Sequence, residues 1–167
     1  MTVMTTRRSR SALHDDVADF INAELALLDD RHFEEWMALF TEDGHYWAPI
    51  EPGQKDPESH VSLFFDTVPT MKTRIARLRH PRIYMQVPHS RTVHMTSNLQ
   101  VTAEDETSVT ARCNFVMLEY RPTRPQNIWG GRYDYILARE TDGFRIESKK
   151  ASLVSSDDQF PSLAIWF

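Results

Sequence analysis

The chain has 167 residues, of which 41% are hydrophobic and 26% are charged, and its formal net charge is −5. That length supports one domain with a substantial core, and the composition is typical of a folded rather than a disordered chain. The single cysteine, Cys113, excludes an internal disulfide, and it excludes a zinc ribbon or an iron–sulfur cluster held by this chain alone, because each needs several thiolates.

Charge is distributed unevenly along the chain. Residues 11–66 hold 14 acidic and two basic side chains, whereas residues 67–91 hold six basic side chains and no acidic one. Opposite patches on one domain suit docking against a complementary protein or a second copy, although solvated helix faces give the same runs. The acidic total argues against duplex nucleic acid as a partner. No stretch approaches the roughly 20 apolar residues of a membrane span, and the first residues lack the apolar segment of a signal peptide, so we expect a cytoplasmic protein.

Helices are predicted at the start of the chain. Residues 1–10 are predicted to be a flexible tail, and Ser11 is predicted to cap a helix over 12–29 that carries an apolar stripe. A second, short helix is predicted over 32–40. The chain therefore opens with two amphipathic helices.

The next segment mixes a strand, a loop and a helix. Residues 45–49 are predicted to form a short strand that ends at Pro49, and residues 50–60 form a polar loop on the surface. A third helix is predicted over 66–80, with its basic side chains on the outside. No repeat or low-complexity segment is present.

From Thr92 onward the period of apolar residues changes from 3.6 to 2, which indicates strands. Four strands are predicted, near residues 93–101, 109–117, 129–137 and 144–154. In the first of them, Val93, Met95, Leu99 and Val101 alternate with polar residues, which predicts that they share one face. Because the connecting loops are short, and Asp142-Gly143 is a hairpin signal, the sheet should be antiparallel. Helices followed by such a sheet predict an α+β domain over residues 11–167.

Two histidines, His89 and His94, have four residues between them, a spacing found in the iron sites of some oxygenases. Such a site needs two histidines and one carboxylate, but the residue three positions before His89 is Gln86, a neutral amide. Pro88 opposes a regular helix, and in an extended segment residues five apart point to opposite faces. We therefore predict no metal site here, and we expect one buried and one exposed histidine.

Asp43, His45 and Tyr46 are a second candidate site. An acid, an imidazole and a phenol could remove a proton next to a carbonyl group. Strand alternation separates His45 from Tyr46, which favours a turn followed by an aromatic core strand. Arg132 and Asp134 share one side of a strand, where a structural ion pair is expected, and Cys113 is expected to be an inert core residue.

Several short motifs occur in a characteristic order. They are Asp43-Gly44-His45-Tyr46-Trp47-Ala48-Pro49, Met71-Lys72-Thr73-Arg74-Ile75, Pro88-His89-Ser90-Arg91-Thr92-Val93-His94, Gly131-Arg132-Tyr133-Asp134 and Asp142-Gly143-Phe144-Arg145-Ile146. In this order the chain resembles the small, or β, subunit of Rieske-type aromatic-ring-hydroxylating dioxygenases, over residues 16–167. The loop Asp56-Pro57-Glu58-Ser59 is most similar to the benzoate and substituted-benzoate branch.

The resemblance implies a cone-like α+β fold of the nuclear transport factor 2 and scytalone dehydratase type, with N-terminal helices on a curved, mainly antiparallel sheet. It implies a hexamer of three large and three small chains, in which the small chains associate as a trimer. The Rieske [2Fe–2S] cluster and the mononuclear iron are then expected in the large (α) subunit. This chain is expected to hold no catalytic, cofactor-binding or metal-binding residue.

We expect particular side chains to mediate subunit contacts. Four are predicted to make polar contacts: Arg91, His94, Arg132 and Asp134. Trp166 and Phe167 are predicted to be an apolar anchor, since buried aromatic side chains dominate interface energetics. The apolar tail that contains them, residues 157–167, is expected to be buried in its own cone or under a partner.

Two alternative functions stay open at this point. A stand-alone dehydratase or isomerase on the same fold would need a cavity where Asp43, Tyr46 or His94 converge. A ligand-binding module without turnover would need an open apolar pocket. With nine Phe, seven Met and four Trp, we expect the cone to be filled.

Overall fold

The computed structural model describes residues 2–82, 87–158 and 165–167, with side chains described from residue 11 onward. The elements in chain order are α1 (Thr2–Asp29), α2 (Phe33–Met37), β1 (Phe40–Pro49), β2 (Ser62–Thr67), α3 (Val68–Arg79), β3 (Arg91–Glu104), β4 (Ser108–Tyr120), β5 (Asn127–Glu140) and β6 (Gly143–Leu153). None of the helices in these ranges is long and apolar enough to cross a membrane.

The six strands form one sheet in the order β2-β1-β6-β5-β4-β3. All neighbouring strands are antiparallel except β1 and β6, the first and last strands, which pair in parallel. The helix α1 packs against β3 and β6. The core therefore lies between the helices and one face of the sheet, which confirms the predicted cone-like α+β architecture.

The predicted apolar stripe of α1 is confirmed. Val17, Ile21, Leu25 and Leu28 are all buried in the core. The helix begins at Thr2, so the prediction that Ser11 caps its N-terminus is wrong. Residues 2–10 contain no glycine or proline that would end a helix before Ser11. The predicted flexibility of residues 1–10 stays a prediction.

Several element boundaries in the first half of the chain differ from their predictions, and one strand was not predicted. The helix α2 ends at Met37 because β1 already begins at Phe40, five residues before the predicted strand. The strand β2 was not predicted, since it is short and follows a loop rich in proline and polar residues. The helix α3 begins at Val68, with a proline in its first turn, where proline is favoured.

The four long strands and the hairpin turn at Gly143 are confirmed, but a bulge in β3 changes which residues face the core. The pairing of β3 with β4 shifts between Ser97 and Gln100, and Asn98 has a left-handed φ of 55°. Before the bulge, Val93 is 53% exposed and Met95 is 48% exposed. After it, Leu99 and Val101 pack against the core. The prediction that all four share one face is therefore wrong, because the inserted residue reverses the alternation.

Gly131 of β5 lies directly against the backbone of β6. A Cβ atom there would lie directly against the carbonyl oxygen of Ser152 and 2.9 Å from Leu153 Cα. At the neighbouring Gly130 the nearest atom, the carbonyl oxygen of Phe115, would be 3.6 Å away. The adjacent glycines therefore differ in whether they accept a side chain.

We expect Gly131→Ala to lower the free energy of unfolding by at least about 1–3 kcal/mol, because two backbones must move apart. Gly130→Ala is the matched control and should change it by no more than about 0.5 kcal/mol. Urea denaturation followed by circular dichroism measures both. Equal stabilities for the two variants would contradict the close approach.

Candidate subunit interface and cone interior

A buried ion pair lies in the middle of the cone. Glu24 of α1 and Lys149 of β6 are both fully buried, and Lys149 Nζ donates to Glu24 Oε1 at 2.7 Å. Glu24 also accepts a hydrogen bond from Trp36 Nε1 at 2.7 Å and from the Tyr135 hydroxyl at 2.9 Å. These donors satisfy a carboxylate that would otherwise be strongly destabilising in the core.

Three tyrosine rings surround the Lys149 ammonium. Its Nζ lies 4.7 Å from the ring centroid of Tyr46, 4.3 Å from that of Tyr133 and 5.4 Å from that of Tyr135. Burial lowers the pKa of Lys149, and it raises the pKa of all three phenols. The ring faces and Glu24 together offset the desolvation of the ammonium group.

Trp166 and Phe167 enter the cone from the end of the chain. Their side chains are 1% and 0% exposed. Trp166 Nε1 donates to Asp66 Oδ2 at 2.8 Å, and the Tyr46 hydroxyl donates to the Phe167 carbonyl oxygen at 2.8 Å. Residues 165–167 are therefore buried in the cone of this chain, whereas Asp157 and Asp158 are exposed. The interface role predicted for both rings stays a prediction, and their burial favours a core role instead.

The second candidate site, Asp43, His45 and Tyr46, is not assembled. Asp43 is exposed, and Tyr46 is fully buried inside the cone. His45 lies on the opposite face of β1, where its Nε2 is 3.1 Å from Ser148 Oγ. The predicted separation of His45 from Tyr46 by strand alternation is confirmed.

His94 is bound to Asp29, at the C-terminal end of α1. Its Nδ1 lies 2.6 Å from Asp29 Oδ1, and its backbone N–H donates to Oδ2 at 2.9 Å. The Thr92 hydroxyl donates to the same carboxylate at 2.7 Å. Burial opposes ionisation, but hydrogen bonds from His94 and Thr92 hold the pKa of Asp29 below its usual value. The His94 side chain is only 1% exposed, and its observed contact joins α1 to β3. Its predicted contact with a partner stays a prediction.

The predicted pair of one buried and one exposed histidine is confirmed, since His89 is exposed. Gln86 lies outside the described residues. Within the part of the chain that the structure describes, no group of three or more His, Cys, Asp or Glu side chains could hold a metal ion. Cys113 is buried, as predicted, and burial raises the pKa of its thiol to about 11.

The outer face of the sheet carries the remaining predicted interface residues. Asp134 accepts a hydrogen bond from Arg112 Nε at 2.6 Å, so the ion pair predicted between Arg132 and Asp134 is wrong. Arg112 lies directly opposite Asp134 on the neighbouring strand, whereas Arg132 is two residues away along the same strand. Directly opposite side chains are the closer pair. Arg132 is exposed, and the Arg91 guanidinium lies 5.5 Å from the centroid of the Tyr120 ring.

An apolar patch lies on the same outer face. We call it the outer patch, and its members are Val93, Met95, Val116, Leu118 and Ile128. Val93 pairs with Leu118 and Leu118 with Ile128, while Met95 pairs with Val116, so the five side chains form two adjacent rows. Val93 and Ile128 are 53% and 68% exposed. Alternation predicted that Val93 and Met95 share a face with Leu99 and Val101, so this surface could not be predicted from those residues. A signal was available in β5, where Ile128 is exposed next to the buried Trp129.

Comparison with known proteins gives a consistent family assignment. A family model described as "Ring hydroxylating beta subunit" matches residues 23–157. The chain is 31% identical to the small subunit of 2-halobenzoate 1,2-dioxygenase from Burkholderia cepacia, over 83% of this chain and 86% of that protein. It is 30% identical to the β subunit of benzene 1,2-dioxygenase from Pseudomonas putida, over 93% of this chain and 89% of that protein.

Solved structures with the same fold include the β subunit of benzoate 1,2-dioxygenase from Burkholderia mallei, with a TM-score of 0.70 and 26% identity over 83% of this chain and 89% of that chain. A naphthalene 1,2-dioxygenase structure matches with a TM-score of 0.80 and 14% identity, over 94% of this chain and 86% of that chain. A protein assigned as a scytalone dehydratase from Novosphingobium aromaticivorans matches with a TM-score of 0.64 and 21% identity, over 97% of this chain and 95% of that chain. The last two matches concern the fold alone.

The buried pair predicts strong coupling between its two members. We expect Glu24→Gln and Lys149→Met each to lower the free energy of unfolding by about 3–5 kcal/mol, because each leaves its partner without a compensating charge. The double variant should lose about 1–3 kcal/mol less than the sum of the two single variants. Urea denaturation of the four proteins measures this coupling.

The exposed pair Glu34 and Arg79, which lie 2.8 Å apart, is the matched control. The corresponding cycle with Glu34→Gln and Arg79→Met should give a coupling of about 0–1 kcal/mol. Additive losses at Glu24 and Lys149 would contradict the central role of their ion pair.

The Asp29 carboxylate predicts a dependence of stability on pH. Because its pKa is lower in the folded chain, its contribution is fully present above the unfolded value of about 3.9 and is lost as the pH falls through the folded value. Asp29→Asn should lower the free energy of unfolding at pH 7 by about 1–3 kcal/mol, and it should flatten the acid limb below about pH 4.

The neighbouring Asp30 is exposed and provides the control, Asp30→Asn. Unfolding free energies measured from pH 2 to pH 7 compare the two variants. An acid limb that is as steep in Asp29→Asn as in the unaltered chain would overturn the assignment.

Proposed function

Because this chain belongs to the family of ring-hydroxylating β subunits, we propose that it is the non-catalytic, structural subunit of an aromatic-ring-hydroxylating dioxygenase. The observation that carries the proposal is the family match over residues 23–157, which takes in most of the fold. The relatives named above are themselves small or β subunits of dioxygenases. The chain would assemble with a catalytic large (α) subunit.

The interior of the cone supports a structural role. Trp166, Phe167 and the tyrosines around Lys149 occupy the space where an enzyme on this fold would bind its substrate. Asp43 faces away from that space, and His94 is engaged by Asp29. The Rieske [2Fe–2S] cluster and the mononuclear iron would accordingly belong to the large subunit, which would carry out the dihydroxylation.

The substrate of the assembled enzyme is proposed to be an aromatic carboxylate. Two of the similar proteins are components of benzoate-type dioxygenases, one for 2-halobenzoate and one for benzoate. The loop Asp56-Pro57-Glu58-Ser59 supports the same branch. The residues that recognise the carboxylate would lie in the large subunit.

The outer patch is proposed to hold this chain against two further copies of itself, in a hexamer of three large and three small chains. Monomeric proteins seldom expose large adjacent apolar side chains in a continuous patch. The solvated face of an antiparallel sheet is usually polar, so an apolar outer face favours a partner. Arg91, Arg132 and the half-buried Asp134 lie on the same face, where they would form the polar rim of the contact.

Replacing apolar side chains of the outer patch by carboxylates tests this contact. Val93→Asp/Ile128→Asp should weaken self-association at least tenfold, since two carboxylates would have to be desolvated at its centre. The matched control is Val61→Asp, because Val61 is 76% exposed and lies outside the outer patch, before β2. Light scattering of each variant co-expressed with the large subunit gives the mass of the assembly.

Thermal unfolding of the same samples establishes that each variant is folded. A hexamer retained by Val93→Asp/Ile128→Asp would remove the outer patch from the interface. A control variant that dissociates as much as the double variant would show that the effect is not local to the patch.

A further inference from the structure

The Trp166 ring sits in a pocket built by other elements. Its centroid lies 4.7 Å from that of Trp36 and 5.7 Å from that of Phe33, both on α2. The guanidinium of Arg74, on α3, lies 4.7 Å from the Trp166 ring. Asp66, on β2, accepts the indole N–H at 2.8 Å. The pocket therefore offers aromatic walls, a cation over one ring and a single anionic acceptor.

The walls of the pocket are held independently of the ring. Arg74 Nη1 donates to Asp66 Oδ2 at 2.7 Å, and Trp36 is fixed by its hydrogen bond to Glu24. Trp166 itself lies outside every helix and strand of the described chain. Its segment is tied down by the Tyr46 bond to Phe167 and by Arg74 Nη2, which is 3.4 Å from the Ile165 carbonyl oxygen. Removing the side chain at position 166 would thus leave the surrounding scaffold in place.

We propose that this pocket is a binding site for a neutral N–H heteroaromatic of the size of indole, and that Trp166 occupies it in the intact chain. Asp66 is 5% exposed, and its Oδ2 accepts the Trp166 N–H as well as the Arg74 donor. A ring without an N–H would lose this charge-assisted hydrogen bond and would place a carbon atom against the buried oxygen. Arg74 favours an electron-rich ring face. An aromatic carboxylate would place its charge beside Asp66, whose partner Arg74 is already paired, and would be rejected.

This pocket is formed by side chains of this chain alone, on α2, β2 and α3. It also gives a physical reason for the closed cone. The Trp166 ring fills a space in which an aromatic ligand from solution would otherwise bind. The proposal can fail without affecting the assembly described above, because it concerns this chain alone.

Occupancy is tested by removing the ring and supplying it from solution. Trp166→Gly in the full-length chain should bind indole and gain thermal stability with rising indole concentration, because a ligand that binds only the folded state stabilises it. 1-Methylindole has nearly the same shape but no N–H, and it should bind at least tenfold more weakly. Benzoate should produce no shift.

Three controls make the result specific. Trp166→Leu refills much of the pocket and should not respond to indole, and neither should the unaltered chain. In Trp166→Gly/Asp66→Asn, indole should lose most of its advantage over 1-methylindole, because the anionic acceptor is gone. Isothermal titration calorimetry and thermal unfolding supply the two readouts.

Unfolding of Trp166→Gly would not leave the proposal untested. If that variant is unfolded at 25 °C, its circular dichroism spectrum is compared at 10 °C with and without ligand. Indole should increase the folded signal, and 1-methylindole should increase it less. Absence of any response to indole would overturn the proposal. An equal response to indole and 1-methylindole would overturn the role assigned to Asp66.

Discussion

The ion pair between Glu24 and Lys149 is the interaction on which the rest of this fold depends. It joins the first helix to the last strand, and the hydrogen bonds of Glu24 bring in Trp36 of α2 and Tyr135 of β5. A buried charge pair tolerates little displacement, because any loosening leaves a desolvated charge without its partner. The helices and the sheet are therefore fixed relative to one another by a polar centre as well as by apolar packing.

Bulky side chains of the described residues surround this polar centre. The three tyrosine rings pack around Lys149, and Trp166 and Phe167 are buried in the same interior from the end of the chain. A scytalone dehydratase-like protein has the same fold, so the fold alone does not determine whether the interior is used for chemistry. In this chain, exposed apolar and charged side chains lie together on the outer face of the sheet.

Much of the fold follows from local periodicity, and the site follows from contacts that periodicity does not encode. The stripe of α1 and the four long strands could be predicted because each carries its own repeat of apolar residues. The bulge at Asn98 could not, and it turns Val93 outward. Glu24 is one of many acidic residues in the first third of the chain, and only the folded structure places it against Lys149, 125 positions away. The pairing of Asp134 with Arg112 likewise depends on strand register.

The most direct test of the structural-subunit account is the native mass of this chain co-expressed with its large subunit, together with the iron content of each chain after separation. The account predicts one complex that contains equal numbers of both chains, with all of the iron in the large subunit. It also predicts that this chain expressed alone does not oxidise aromatic compounds. A chain that remains separate from the large subunit, or that binds iron and turns over an aromatic compound by itself, would contradict it.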